Sequence, residues 1–154
     1  MNRLDSILAP AQGYFELGLF NDAWEELDKL EPKAKAHPDV LLLRLDILLA
    51  LSRWEDVVTM GIGCCSTWCD FDGFFLKTAR ALIHLNDFGH AYNLLKNAPE
   101  SLHALPEYHH EVARCAAKQG LRSEARNALQ ECFNRDKSYR LRVLDDPDFE
   151  AVFG

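Results

Sequence analysis

The chain has 154 residues, 48% hydrophobic and 27% charged, with a formal net charge of −7. That length suits one compact domain with a substantial core, and the negative balance argues against general nucleic-acid binding, which takes a basic surface. The longest apolar stretch, around Val40–Leu51, is broken by Arg44 and Asp46, short of the roughly 20 residues a membrane span takes. The opening residues lack the apolar run of a signal peptide, so a soluble, cytoplasmic protein is expected.

Apolar residues fall at helical spacing from the outset: Leu4, Ile7, Leu8, Ala11, Tyr14, Phe15 and Leu17 predict a first helix over 4–18. Pro10 lies inside it and predicts a kink or a late start, and Gly18 suits the C-terminal cap. A second helix is expected over 21–35, with Pro32 imposing a break or a fresh turn near its end. The third, over 38–51, opens at Pro38, a residue at home in a first helical turn. Helices over 53–67, 71–85 and 87–97 follow, the last with Asp87 as N-cap. Pro99 and Pro106 bracket the connection into a helix over 105–119. Gly120 caps it, and a final long helix covers 121–134. No stretch alternates with period two, so no strand is expected and the fold class is all-α.

The turns recur at one spacing. Ala23, Val57, Ala91 and Ala125 follow one another by 34 residues. Five residues before each stands Gly18, Ser52, Asn86 or Gly120, three before stands Phe20, Trp54, Phe88 or Arg122, and four after stands Leu27, Gly61, Leu95 or Leu129. A small residue at a turn and another in the next helix, repeated in register, predict a helix–turn–helix solenoid. The small column lets two backbones approach, with Tyr14, Leu48 and Leu82 expected opposite it. The column Leu30, Cys64, Ala98, Cys132 is expected to pack against the next repeat. Residues 1–154 then form one domain, with repeats at about 4–37, 38–69, 70–103 and 104–135 and a cap over 136–154. A solenoid end needs such a cover, and Leu141, Leu144, Phe149 and Phe153 are its expected apolar contacts, with Pro147 fixing the turn.

The segments GlyLeuPheAsnAspAlaTrp (18–24), SerArgTrpGluAspValVal (52–58), AsnAspPheGlyHisAlaTyr (86–92) and GlyLeuArgSerGluAlaArg (120–126) resemble the tetratricopeptide repeat over about residues 4–135. The tail ArgValLeuAspAspProAspPheGluAlaValPhe (142–153) is similar to the ending of a group of short bacterial tetratricopeptide proteins. The resemblance implies a right-handed superhelix and a protein-binding role, with no reaction attached. Gly61 in place of a bulky residue and Arg122 in place of an aromatic depart from the pattern, and are expected to weaken local packing or change curvature. Of the carboxylate clamp that some co-chaperones of this family carry, Lys77 alone is kept, while Leu8, Gln12, Leu43 and Gly73 lack its chemistry.

Spacing of i, i+4, i+7, i+11 puts a row of residues from each first helix on the face that such a superhelix turns inward. The expected peptide-binding residues on that row are Gln12, Glu16, Asp46, Lys77, Arg80, His84, Arg114 and Lys118. Residues 1–77 carry a net −6, whereas Arg114–Arg142 carries a local +5. Lys77, Arg80, Arg114 and Lys118 therefore predict a protein or peptide ligand with acidic groups or a free C-terminus. The competing reading is a solvated face closed by pairs such as Glu111–Arg114 or Glu107–Arg114.

Chemistry-bearing motifs are weak. CysCysSerThrTrpCys (64–69) places Cys65 and Cys69 four apart, without the paired spacing of a zinc site, and the five cysteines fit free thiols in a reducing compartment. TyrHisHisGluValAlaArg (108–114) has Arg114 where a zinc-protease helix needs its second His. No phosphate-binding glycine loop is present. No enzyme activity, metal or cofactor is expected, nor a nucleic-acid or membrane partner. The leading reading is a monomeric or weakly dimeric adaptor. The alternative is a structural protein self-associating through an apolar surface around Trp68–Phe75, where Phe74 and Phe75, adjacent on one helix, cannot both point inward. A Cys-based metal or redox protein stands behind both.

Overall fold

A computed structural model describes residues 3–153, and among these the chain is helical throughout, with no strand. In chain order the α-helices are α1 (Arg3–Glu16), α2 (Phe20–Asp28), α3 (Pro32–Lys35), α4 (Pro38–Ala50), α5 (Trp54–Thr67), α6 (Phe75–His84), α7 (Phe88–Lys96), α8 (Pro106–Lys118), α9 (Arg122–Arg135), α10 (Tyr139–Leu144) and α11 (Glu150–Phe153). Short 3-10 turns cover Asp72–Phe74, Glu100–Ala104 and Pro147–Phe149. Pro10 lies inside α1, which runs from Arg3 to Glu16, so the late start does not occur. Pro32 does break the second helix: α2 ends at Asp28 and α3 starts afresh at Pro32.

Each long pair closes through one and the same turn. Backbone N–H groups of Leu19, Arg53, Asp87 and Leu121 donate to the carbonyls of Tyr14, Leu48, Leu82 and Ala116 at 2.8–2.9 Å. The preceding N–H groups, from Gly18, Ser52, Asn86 and Gly120, donate to Phe15, Leu49, Ile83 and Ala117 at 2.9–3.1 Å. This is the double bond of a Schellman cap, which takes a left-handed residue at its corner. Gly18 and Gly120 have φ of 76°, Ser52 56° and Asn86 60°. Glycine adopts that region freely, asparagine tolerates it, and serine is strained there. Asp87 caps α7, its carboxylate accepting from the His90 N–H at 3.5 Å, and His37 Nδ1 caps α4 by accepting from the Asp39 N–H at 3.1 Å.

Five residues beyond each corner, the small column is sealed: Ala23, Val57, Ala91 and Ala125 are each 0% exposed. The helices then pack serially. α1 lies on α2, α4 on α5, α6 on α7 and α8 on α9, and α2, α5 and α7 each pack against the first helix of the following pair. The first helices also touch in sequence, α1–α4–α6–α8, so they form a continuous row. The core has two parts. Leu8, Ala11, Ala23, Leu27, Val40, Leu43 and Ile47 form one, and the remaining pairs with the C-terminal segment form the other. Trp24 packs against both, beneath the Arg44 guanidinium at 4.3 Å. Arg44 is itself buried and bonded to Asp28 at 2.9 Å.

Gly61 corrects an expectation. A side chain there would run into Thr78 Oγ1 and sit 3.0 Å from Thr78 Cβ and Cγ2. Thr78 is fully buried, its hydroxyl donating to the Phe74 carbonyl at 2.8 Å. The missing side chain therefore lets α5 meet α6 closely instead of loosening the repeat. Trp68, Phe71 and Phe74 do cluster, with ring centroids 5.3–5.7 Å apart. Yet Phe74 and Phe75 are both buried, because the chain changes from a 3-10 turn to α6 between them. The surface expected around Trp68–Phe75 is thus mostly interior, with Phe71 at 37% exposure its main outlet.

The tail packs on α8 and α9, but with a different set of side chains from that expected. Phe149 is buried as expected, whereas Leu141, Leu144 and Phe153 are 73%, 67% and 51% exposed. Tyr139, Val143 and Val152 are buried in their place. On α10 the pair Tyr139 and Val143 is four residues apart and shares the inner side, which turns Leu141 and Leu144 outward.

Gly61→Ala should cost about 1–3 kcal/mol through overpacking, read as a lowered denaturation midpoint, with part of the loss recovered in a Gly61→Ala/Thr78→Ala double variant. Ser52→Gly should raise stability by roughly 0.5–1 kcal/mol, the relief of a left-handed serine less the entropy of a glycine; an unchanged midpoint would remove the strain argument.

Candidate functional site

The row α1–α4–α6–α8 carries all eight residues read from the sequence as a peptide-binding face. Gln12 and Glu16 are exposed on α1 and stand apart from the charged cluster. Asp46 on α4 is half-buried and bonded to Lys77 Nζ of α6 at 2.5 Å. His84, at the end of α6, stacks on the Trp54 ring with centroids 3.9 Å apart and planes inclined by 3°. Trp54 is thereby fixed at the start of α5, half-buried against the same row.

On α8 the cations are already engaged by the chain itself. Arg114 Nη2 donates to Asp146 Oδ2 at 2.8 Å, and Arg114 Nη1 donates to Asp148 Oδ2. Its guanidinium lies 5.3 Å from the Phe149 ring, and Nε approaches Glu111 Oε2 at 3.7 Å. Lys118 Nζ is 3.0 Å from Asp148 Oδ1. Asp146 also caps the 3-10 turn, accepting from the Asp148 N–H at 3.0 Å. Arg126 ties the far end by donating to the Val152 carbonyl at 3.0 Å. The acidic groups expected of a ligand are thus present in part as Asp146 and Asp148.

Burial opposes charge on Asp146 and Arg114, but their mutual hydrogen bond and attraction win: the Asp146 pKa lies below its ordinary value and that of Arg114 above. Glu111 behaves likewise. Burial pushes its pKa up, yet His110, Arg114 and Arg80 together hold it below the ordinary value. Between these groups lies a cleft of about 440 Å³ lined by Arg80, Ile83, His84, Asn86, Glu111, Arg114 and Asp148. Arg80 is exposed at its edge. Among the described residues it has no hydrogen bond or ion pair, and only the longer-range attraction of Glu111. Such a cleft offers one forked donor group beside two carboxylates, a combination suited to a backbone with a carboxylate attached.

Sequence reading offered the Glu111–Arg114 pair, which is present, but missed Asp146 and Asp148 as parts of this cluster. The repeat period held the signal for Asp148: it stands 34 residues after Arg114, in the column that runs Gln12, Asp46, Arg80, Arg114.

The remaining motifs lie largely in the interior. His109 is buried, and Nε2–H donates to the His103 carbonyl at 2.8 Å; burial lowers its pKa. Tyr108 donates to the Leu95 carbonyl at 2.9 Å. The cysteines are free thiols, with Cys69 exposed and the other four buried. Burial pushes the pKa of Cys65 up to about 11, partly offset by the Thr78 hydroxyl, that of Cys132 to about 11 and that of Cys115 to about 12. Thiols so held stay protonated at neutral pH and are poor nucleophiles. Among the described residues no three His, Cys, Asp or Glu side chains are placed to share a metal ion, and no helix is long and apolar enough to cross a membrane.

Arg114→Ala should release the tail and cost about 2–3 kcal/mol, the scale of hydrogen bonds to charged groups, with faster proteolysis between Arg142 and Phe153. Stability should also fall with acid in two stages. His109 has a depressed pKa, so its contribution is full above the unfolded value of about 6.5 and declines as the unfolded chain takes up that proton. Asp146 and Glu111 contribute fully above about pH 4, and that share is lost as pH falls through their depressed folded values. Denaturant midpoints at pH 7.5, 5.5 and 3.5 check both stages, and Asp146→Asn should flatten the second.

No protein-family model, curated protein or solved structure matches this chain, so the geometry of the helix row and its cleft is what carries a functional reading.

Proposed function

We propose that the chain is a non-enzymatic binding scaffold of tetratricopeptide type, taking an extended segment of a cytoplasmic protein along the row of first helices. Arg80 carries the reading. It is an exposed, unpaired guanidinium at the lip of a cleft, while its neighbours Lys77, Arg114 and Lys118 are each matched to a carboxylate of the chain. An exposed forked donor favours a side-chain or terminal carboxylate on the partner. Glu111 and Asp148 across the cleft suit its backbone N–H groups, and the His84 ring, held by its stack on Trp54, lines the cleft beside it. Glu16, exposed further along the row, repels acidic groups, which favours one direction for such a segment.

Arg80→Glu is the test, since Arg114→Glu would also detach the tail. Capture of partners from the native cytoplasm by the wild-type chain should be lost with Arg80→Glu, while thermal melting stays within a degree or two. Binding should weaken as salt rises, because exposed charges are screened over about 8–10 Å near physiological ionic strength. Equal capture by the variant would move the site off this row.

A further inference from the structure

Two hollows at opposite ends of the helix row are complementary in charge and alike in apolar character. The first lies between α1 and α3, with a volume of about 590 Å³. Its floor is Leu4, Ile7, Leu30 and Ala34, all half-buried. Its rim is basic: Arg3, Lys29 and Lys33 are exposed, against the single carboxylate of Glu31. Lys29 is paired with Glu26 at 2.6 Å, whereas Arg3 and Lys33 have no partner among the described residues.

The second lies on the outer side of the C-terminal segment, with a volume of about 470 Å³. Leu144 and Phe153 line it and are 67% and 51% exposed, and Leu141, 73% exposed, stands three residues before Leu144 on α10. Asp145 and Glu150 stand exposed beside them, while Arg140 and Arg142 lean back over the Phe133 and Tyr139 rings at 5.8 and 4.3 Å. Three large apolar side chains left this wet in one short segment mark an interface more often than an idle surface.

We propose that the occupant of each hollow is the other: the C-terminal segment of one copy docks on α1–α3 of the next, Leu144 and Phe153 entering the Leu4–Ile7–Leu30 floor while Asp145 and Glu150 meet Lys33 and Arg3. Helix pairs of this molecule already stack serially, each on the one before, and the contact repeats that stacking between molecules. It joins unlike surfaces, so it does not close on itself as a two-fold dimer does and can extend beyond two copies. The attraction is partly electrostatic and weakens with salt. This inference is independent of the peptide site, because Arg80 takes no part in either hollow.

Sedimentation of the full chain across a thousandfold concentration range tests it. The weight-average mass should rise from 17.5 kDa past that of a dimer, and fall back at high salt. Ile7→Asp blocks one surface and Leu144→Asp the other. Each variant, folded by circular dichroism, should sediment as a monomer on its own. Mixed one to one, they should give a dimer and nothing larger, since one good surface of each kind remains. A wild-type chain that stays monomeric throughout overturns the proposal and leaves the basic hollow to a different acidic partner. A dimer that persists in either single variant overturns it too, because that requires a contact between like surfaces.

Discussion

Everything in this molecule hangs on a single backbone condition: one residue per repeat must be left-handed. At Gly18, Ser52, Asn86 and Gly120 the chain reverses through a positive φ, and only that reversal brings the following Ala or Val under the preceding helix with no exposed surface. Sealing that column sets the distance between the helices of each pair, and thereby which side faces the next pair. The turn recurs at a constant interval, and the first helices fall into a row. The charge cluster and the cleft at Arg80 are consequences of that row.

Burial along the row converts a list of charges into a graded surface. Lys77, Arg114 and Lys118 look alike in sequence, yet each is matched by a carboxylate from a neighbouring element. Pairs of this kind contribute modestly where they are exposed and more where a part-buried charged group is hydrogen-bonded. Arg114, with two carboxylates and an aromatic ring around it, belongs to the second kind and serves architecture. Arg80 sits one repeat earlier in the same column, without a tail to meet it.

The sequence made the helix order, the turns and the buried column legible because they depend on local chemistry and a fixed period. Asp87 as a cap and Pro32 as a break could be read for the same reason. What could not be read depends on partners far along the chain. Gly61 looked like a defect until Thr78, on another helix, was seen to need its space. Phe74 and Phe75 defied helical geometry because a 3-10 turn intervenes. The apolar residues of the tail were recognised as important, but a stretch so short gives no period from which to choose the inner side. On the site, the basic row and the Glu111–Arg114 pair were visible and neutralisation by the tail was not, since Asp146 and Asp148 reach the row only when the tail folds back.

The division of the core has a dynamic corollary. The first helix pair and part of α4 bury a set of side chains that meets the rest mainly through Trp24, with Arg44 above it. Units that share few apolar contacts open separately, with their own free energies. Amide protons of α1 and α2 should accordingly exchange with solvent deuterium ahead of those in α6 and α8, as a single cooperative block, so that the molecule spends part of its time with its front repeat undone while the cleft around Arg80 stays folded.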